Sequence, residues 1–282
     1  MLLDKIVKRG FQPSLITYDT MFKGLCRVGD NARALRLLKN MESRAEIKPG
    51  VVIYSTIIDS LCKDKLVIQA LDLFNEMETK GVLPDFVTYT ALIRGFCNLG
   101  QWDDVKNLWT QMFDNNISPN VVTCNMLIDM YCKEGMVVEA RAIYNHMRKA
   151  RVNPNVITYN SLLYGYCLCG QMEEAVKILV QMVKQGCEPN VVSLNSLING
   201  YCKSKQIDKA LVIFENMHLK GTLPDVFTYN TLINALCKGN RVKGALQLLR
   251  ELEARGLTPT GLTYASLVDG FFKHGQVEEA AA

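Results

Sequence analysis

The prolines of this 282-residue chain divide it at regular intervals. Each of the eight stands three residues before a marker of the type V/I-T-Y-x, and successive markers are 36 residues apart once and 35 apart six times. The prolines are Pro13, Pro49, Pro84, Pro119, Pro154, Pro189, Pro224 and Pro259. Recurrence at one fixed period is the signature of a repeat protein, in which each repeat packs on its neighbours and not around a single core.

Each repeat has the pattern of two amphipathic helices. We number positions from the residue before the marker, so that Val156 is position 1 of its repeat. From Tyr159 to Cys167, apolar residues recur at i, i+3, i+4, i+7 and i+8, which predicts a helix with one buried stripe. Gly170 predicts the end of this helix, and the acidic Glu173 predicts the start of a second one. Because two short helices cannot bury a core alone, the sequence predicts an all-α fold, an α-solenoid superhelix of tandem 35-residue helix-turn-helix repeats.

The markers also predict the boundaries of the repeats. Seven full repeats are expected at residues 15–50, 51–85, 86–120, 121–155, 156–190, 191–225 and 226–260. Residues 1–14 end in the same G-x-x-P pattern as the other repeats, so they are predicted to be the remnant of a truncated repeat and not a targeting segment. Residues 261–282 are predicted to be an incomplete final repeat. No low-complexity linker interrupts the array, so no further domain boundary is expected.

Composition narrows the classes of protein that fit. The net charge of +4 permits a nucleic-acid partner without requiring one. No apolar run approaches the roughly 18–20 residues of a membrane span, so no membrane partner is expected. Seven of the ten cysteines share position 12 on the buried stripe, which predicts free, buried thiols in a reducing compartment and neither disulfides nor metal ligands. These seven are Cys26, Cys62, Cys97, Cys132, Cys167, Cys202 and Cys237.

The repeated segments resemble the 35-residue pentatricopeptide repeat. The patterns V-T-Y-N-x-L-I-x-G-x-C-K-x-G, x-A-x-x-x-F-x-x-M and G-x-x-P-D/N carry the resemblance and appear almost whole in residues 226–240 and 210–225. A period of 34 residues would instead suggest the related tetratricopeptide repeat. The resemblance is to the P-type, restorer-of-fertility-like proteins of plant organelles. It implies a single-stranded RNA-binding protein that reads about one base per repeat, in a mitochondrion or plastid, and acts in RNA processing, stability or translation.

One face of the first helix is predicted to contact this RNA. Positions 2, 5, 9 and 13 are spaced 3, 4 and 4 residues apart, so they share a face that differs from the apolar stripe. Position 13 is cationic in six repeats, which predicts a ladder that contacts RNA phosphates: Arg27, Lys63, Lys133, Lys203, Lys238 and Lys273. Six neutralised phosphates would give a slope of log affinity against log salt of about −4. The alternative is that lysine is simply a good exposed helix former.

Two further positions are predicted to recognise bases. Position 5 is short and polar at Ser55, Thr90, Asn125, Asn160, Asn195 and Asn230. Position 35 is short and polar at Asp85, Asn120, Asn155, Asn190, Asp225 and Thr260. Helix capping is the alternative explanation for position 35. Position 5 lies inside the predicted helix, where asparagine is unfavourable, and repeated use of an unfavourable residue points to function.

The resemblance implies a recognition rule for these two positions. Threonine or serine at position 5 favours a purine and asparagine a pyrimidine, while Asp at position 35 selects G or U and Asn selects A or C. The rule gives 5′-GACCUY-3′ for residues 51–260, with U tolerated at both C positions and the last pyrimidine weakly specified. Asp19 with Gly50 departs from the pattern, and Ala265 has no position-35 partner, so the rule assigns no base to the first and the last repeat.

Position 2 is predicted to sandwich each base between adjacent repeats, with burial in the core as the alternative. Its residues are Val52, Val87, Val122, Ile157, Val192 and Phe227.

Two other classes of function are alternatives to RNA binding. A protein-binding helical-repeat scaffold would use the same face without regard to RNA sequence, and the recurrent polar and cationic positions speak against it. An enzyme is not expected, because the His-x-Glu and Cys-x-x-Cys zinc motifs of RNA-editing deaminases are absent from the sequence. The three histidines, His146, His218 and His274, are scattered, and neither a catalytic residue nor a cofactor is predicted.

Overall fold

The computed structural model describes residues 13–43, 48–219 and 221–273. These residues form fifteen α-helices of 13 residues each and include no strand, so the predicted all-α class is confirmed. The first helices are α1 (Leu15–Arg27), α3 (Val51–Lys63), α5 (Phe86–Asn98), α7 (Val121–Lys133), α9 (Val156–Leu168), α11 (Val191–Lys203), α13 (Val226–Lys238) and α15 (Gly261–Lys273). The second helices are α2 (Asn31–Ser43), α4 (Val67–Thr79), α6 (Trp102–Asp114), α8 (Val137–Lys149), α10 (Met172–Lys184), α12 (Ile207–Leu219) and α14 (Val242–Ala254).

Every first helix begins at the first residue of a predicted repeat. The predicted remnant at residues 1–14, apart from its last two residues, lies outside the described residues, as does the end of the final repeat at residues 274–282. None of the described helices combines the length and the apolar character that a bilayer crossing demands.

The helices pack into two compact parts, the first ending at Thr123 and the second beginning at Cys124. In the first part, α3 lies between α1 and α5, and in the second, α11 lies between α9 and α13. The predicted stripe supplies the core, since Tyr159, Leu162 and Leu163 of α9 are fully buried. Neighbouring hairpins therefore complete one another's hydrophobic core, as expected for an α-solenoid.

The turn between paired helices follows the predicted glycine. Gly170 has a φ of +71°, in the left-handed region that a residue without Cβ adopts most easily. Its N–H donates to the carbonyl of Cys167 at 3.2 Å, and the next N–H, of Gln171, donates to the carbonyl of Tyr166 at 2.9 Å. These bonds satisfy carbonyls at the end of α9, and Glu173 lies in the first turn of α10.

Successive first helices approach closely because a glycine faces a cysteine. A Cβ placed on Gly165 would lie 2.4 Å from the Sγ of Cys132, and one on Gly95 would lie 2.8 Å from the Sγ of Cys62. Position 10 of one repeat thus receives the position-12 thiol of the repeat before it. No disulfide joins the cysteines within the described ranges, and burial raises the pKa of Cys132 to about 12. Position 12 therefore holds packing residues, with Cys26 and Cys202 only partly buried.

Candidate nucleic-acid interface

Position 35 caps the first helix of the following repeat. The Oδ1 of Asn155 accepts a hydrogen bond from the N–H of Thr158 at 3.1 Å, and the hydroxyl of Thr158 accepts one from the N–H of Asn155 at 3.1 Å. This reciprocal capping box recurs at Asp85, Asn190 and Asp225. The capping role considered for position 35 is therefore present in the structure.

Capping occupies only one of the two terminal atoms of each of these side chains. In Asn155 the hydrogen bonds from Thr158 and Asn125 all end on Oδ1, and Nδ2 has no partner among the described residues. In Asp225 they likewise end on Oδ1 and leave Oδ2 without one. The same arrangement is present at Asp85, Asn120 and Asn190.

The unpartnered atoms remain accessible to solvent. Among the described residues, no buried side-chain nitrogen or oxygen lacks a hydrogen-bond partner. The free atoms of Asp85, Asn120 and Asn155 are therefore not buried, and Asn190 and Asp225 are exposed residues, so each of these five repeats offers one polar atom to a ligand. That atom is a donor when the residue is asparagine and an acceptor when it is aspartate.

In the six repeats of residues 51–260, position 5 links each repeat to the next one. The Nδ2 of Asn125 donates to the Oδ1 of Asn155 at 3.1 Å, and its Oδ1 accepts from the hydroxyl of Thr158 at 2.5 Å. Asparagine at position 5 makes the same two contacts in the next three repeats, at Asn160, Asn195 and Asn230. Asparagine inside these helices is thus stabilised by the following repeat, a role that our sequence argument missed. The recurrence of Thr or Ser 33 residues later was the available signal.

Serine and threonine at position 5 make a shorter link. The hydroxyl of Ser55 donates to the carbonyl of Val51 at 2.7 Å and lies 2.8 Å from the hydroxyl of Thr88. Thr90 does the same with Phe86 and Thr123, at 2.6 and 2.7 Å. These side chains end well short of an asparagine amide and leave more room beside position 35.

The last full repeat lacks a free atom at position 35. Thr260 has a single hydroxyl, which receives Nδ2 of Asn230 at 3.1 Å and lies 3.1 Å from the hydroxyl of Thr263. At the other end of the array, Gly50 precedes α3 without a side-chain cap. The departure seen in the sequence at Gly50 thus corresponds to a repeat with no position-35 side chain, and the weakly specified last pyrimidine corresponds to a repeat whose Thr260 hydroxyl is already engaged.

The position-2 side chains are exposed and do not pack in the core. Their exposed fractions run from 43% at Val87 to 65% at Val122. In the first compact part, Val52, Val87 and Val122 line a groove of about 590 Å³ together with Ser55 and other residues of positions 5 and 35. In the second part, Phe227 and Leu262 line a groove of about 900 Å³ with Asn230, Lys203 and Lys238.

The other members of the position-2 set, Ile157 and Val192, are also more than half exposed. Each groove combines apolar walls with a polar side chain of position 5 and at least one cation, which is Arg94 in the first groove and Lys203 and Lys238 in the second.

The position-13 cations fall into two groups. Three of them form ion pairs with an aspartate four residues earlier, at position 9, with Nζ–Oδ distances of 2.6 to 2.7 Å: Lys63 with Asp59, Lys133 with Asp129, and Lys273 with Asp269. Arg27, Lys203 and Lys238 have no ion-pair partner within the described ranges. Our sequence reasoning missed this pairing, although the i,i+4 spacing of Asp and Lys was visible. It also missed Arg94, which pairs with Asp59 on the same face.

Hydrogen bonding holds Asp225 in its charged form. Partial burial alone would raise the pKa of its carboxyl group, but hydrogen bonds from the N–H of Thr228 and from Asn195 lower it below its usual value. The free Oδ2 therefore belongs to a carboxylate and accepts hydrogen bonds.

The described part of the chain contains no candidate metal site, because no group of three or more His, Cys, Asp or Glu residues there is placed to hold an ion. The His218 side chain and His274 lie outside that part.

Family profiles match nearly the whole chain. The profile of the PPR repeat family matches residues 49–98, 84–124, 119–168, 154–203, 189–238 and 224–273, and that of the pentatricopeptide repeat domain matches residues 1–64. The chain belongs to the pentatricopeptide repeat family. Among curated proteins, no sequence match is found.

Solved pentatricopeptide repeat structures have the same fold. The crystal structure of PPR10 from maize is 25% identical, with a TM-score of 0.68 over 99% of this chain and 44% of that one. PPR10 in complex with an 18-nt psaJ RNA element is 24% identical, with a TM-score of 0.59 over 99% and 46%. The pentatricopeptide repeat domain of Arabidopsis thaliana protein-only RNase P 1, in complex with tRNA, is 19% identical, with a TM-score of 0.54 over 64% of this chain and 96% of that domain. This chain spans less than half the length of PPR10.

Proposed function

We propose that this pentatricopeptide repeat protein binds single-stranded RNA in a sequence-specific manner and reads one base per repeat. The observation that carries the proposal is the position-35 side chain, which caps a helix with one terminal atom and leaves the other free. Capping alone does not account for the alternation of asparagine and aspartate, because both residues cap helices about equally well. A ligand that presents either a donor or an acceptor would distinguish them.

The free atom suits the Watson–Crick edge of a base. The Oδ2 of Asp85 or Asp225 can accept a hydrogen bond from N1–H of G or N3–H of U, and the Nδ2 of asparagine can donate to N1 of A or N3 of C. The shorter Ser55 and Thr90 leave space for a purine. Together with the exposed position-2 residues as base-stacking walls, these features support the assignment 5′-GACCUY-3′.

We infer that the unpaired cations contact the RNA backbone, and that the protein acts on an organellar transcript in processing, stability or translation. The P-type, plant-organellar character and the mitochondrial or plastid location follow from the family resemblance. The residues of this chain would act by covering or remodelling the RNA, because the proposed site is built from side chains that bind.

The test is a binding titration with short RNAs. An RNA that contains GACCUY is expected to bind more tightly than a scrambled RNA of the same composition at equal salt. Thr90→Asn, which enlarges position 5 of one repeat, is expected to move the preference at the second base from A towards C or U. Equal affinity for both RNAs would refute the proposal in favour of a protein-binding scaffold, and no shift at the second base would refute the assigned register.

A further inference from the structure

A buried hydroxyl stands behind each pair of proposed readers. Position 3 is Thr or Ser in six successive repeats, and its side chain is completely buried in all of them. The six are Thr88, Thr123, Thr158, Ser193, Thr228 and Thr263. None can touch an RNA base. Each contacts the position-5 and position-35 residues of the preceding repeat, which are the proposed readers of one base.

The hydrogen bonds around Thr158 run in one direction. Its hydroxyl carries a single hydrogen, and its short contact of 2.5 Å with the Oδ1 of Asn125 assigns that hydrogen to Asn125. With its Oδ1 engaged, Asn125 must direct Nδ2 towards the Oδ1 of Asn155, at 3.1 Å. The N–H of Thr158 donates to the same Oδ1, which fixes the orientation of the Asn155 amide. The result is that Nδ2 of Asn155, a donor, is left for the ligand.

We propose that the buried position-3 hydroxyl is a specificity-determining positioning residue, which sets whether the position-35 amide of the preceding repeat presents a donor or an acceptor to the base. This inference rests on the proposed RNA-binding function. Without the hydroxyl, Asn125 loses the bond that orients its amide and can turn Oδ1 towards Asn155. The N–H of Thr158 would then be the only group that fixes the orientation of the Asn155 amide. It would be opposed by the repulsion between the Oδ1 atoms of Asn125 and Asn155.

The chain contains its own control, because the orientation of the terminal group decides between a donor and an acceptor in asparagine but not in aspartate. In the repeat read by Asn195 and Asp225, the buried hydroxyl belongs to Thr228 and makes the equivalent bond at 2.6 Å. Both carboxylate oxygens of Asp225 are acceptors, so the atom facing the ligand has the same character whichever way the group turns. Loss of the Thr228 hydroxyl disturbs the same network without changing what the base meets.

The experiment compares Thr158→Val with Thr228→Val, two substitutions that remove one buried hydroxyl and keep the side-chain shape. For wild type, the affinity ratio between C and U at the third base of GACCUY is expected to be about fivefold, the lower end of what a good hydrogen-bonded pair discriminates. Thr158→Val is expected to bring this ratio to about twofold or less. Thr228→Val is expected to keep its preference for U over C at the fifth base. Thr158→Ser, which matches the natural Ser193, is expected to restore the third-base ratio.

The outcomes separate the two hypotheses. A wild-type protein that binds every RNA equally would overturn the proposed function and with it this inference. If wild type discriminates and Thr158→Val keeps the full third-base ratio, the inference alone is wrong. Equal loss of discrimination in Thr158→Val and Thr228→Val would show a general structural role and would also overturn it. Circular dichroism checks folding, and Ser193→Ala, which deletes one oxygen, repeats the test at the fourth base.

Discussion

The ion pairs at positions 9 and 13 lead to a quantitative prediction about salt. A lysine whose charge is already cancelled by an aspartate neutralises no further phosphate, so it contributes little to the release of counterions from RNA. Three of the six predicted cations are paired in this way. The remaining three, at about −0.7 per single-strand phosphate, give a slope of log affinity against log salt of about −2 from this ladder. Six would have given about −4.

The two slopes differ widely over an accessible range of salt. Between 50 and 200 mM salt, a slope of about −2 lowers the affinity about 20-fold, and a slope of about −4 lowers it about 300-fold. Fluorescence anisotropy with a labelled RNA that contains GACCUY measures both. The perturbation that isolates the unpaired cations is the double substitution Lys203→Gln with Lys238→Gln. It is expected to reduce the magnitude of the slope by about 1.4.

The matched control removes one complete ion pair. Asp129→Asn with Lys133→Gln deletes a pair whose charges lie 2.7 Å apart and leaves the net charge unchanged, so the slope is expected to stay constant. An exposed pair of this kind is worth about 0–1 kcal/mol, so folding should be nearly unaffected. If the magnitude of the slope of log affinity against log salt falls by about 0.7 in this control, Lys133 opens its ion pair to bind phosphate. An unchanged slope in the Lys203 and Lys238 variant would refute backbone binding by these cations.

Three further predictions concern packing, base choice and pH. Gly165→Ala forces a Cβ against Cys132 and is expected to lower the free energy of unfolding by about 1–3 kcal/mol in urea denaturation. Gly24→Ala, at the same position but with no described atom within 4 Å, is expected to raise it by up to about 1 kcal/mol; equal effects would contradict the close-packing argument. Asp225→Asn replaces the free Oδ2 with a donor and is expected to change the preference at the fifth base from U to C in competition binding, whereas an unchanged preference would refute its role as a reader. Several buried thiols have their pKa raised by burial from 9.0 to about 12, so they stay protonated in the folded protein while those of the unfolded chain ionise. The contribution of these thiols to stability is therefore expected to be constant below pH 9 and to fall between pH 9 and 12, which denaturation at a series of pH values would test. These thiols belong to Cys62, Cys97, Cys132 and Cys167, and a flat profile would contradict their burial.

The repeating features of the sequence were sufficient to predict the helices. The V/I-T-Y-x marker, the glycine at the turn and the apolar stripe predicted helix starts that agree with the structure, and Gly170 ends its helix in the expected conformation. These features are local, because a helix start depends on a few adjacent residues and an amphipathic stripe on one helix. The small residue at position 10 was also readable, since only a small side chain allows two helix backbones to come so close.

For the candidate site, the sequence predicted the types of residue but not their contacts. The sequence showed that Asn125 and Asn155 are short and polar, and that Lys133 is a cation. It did not show that Asn125 is held by Thr158, that Asn155 uses one oxygen for capping, or that Lys133 is paired with Asp129. The first contact joins residues 33 positions apart, the second depends on which terminal atom of Asn155 faces Thr158, and the third depends on which rotamers the two side chains adopt.

The amino-acid sequence by itself determined the repeat, its two helices, the buried stripe and the residue types on the opposite face, because each of these depends on spacing along one chain segment. Tertiary structure alone decided which terminal atom of each polar side chain forms hydrogen bonds within the protein and which is free to bind a ligand. That choice depends on hydrogen bonds between repeats, whose geometry exists only once neighbouring hairpins have packed. A side chain such as Asn155 can therefore be recognised in the sequence as a candidate reader, while its donor is identified only when the contacts of its Oδ1 are known.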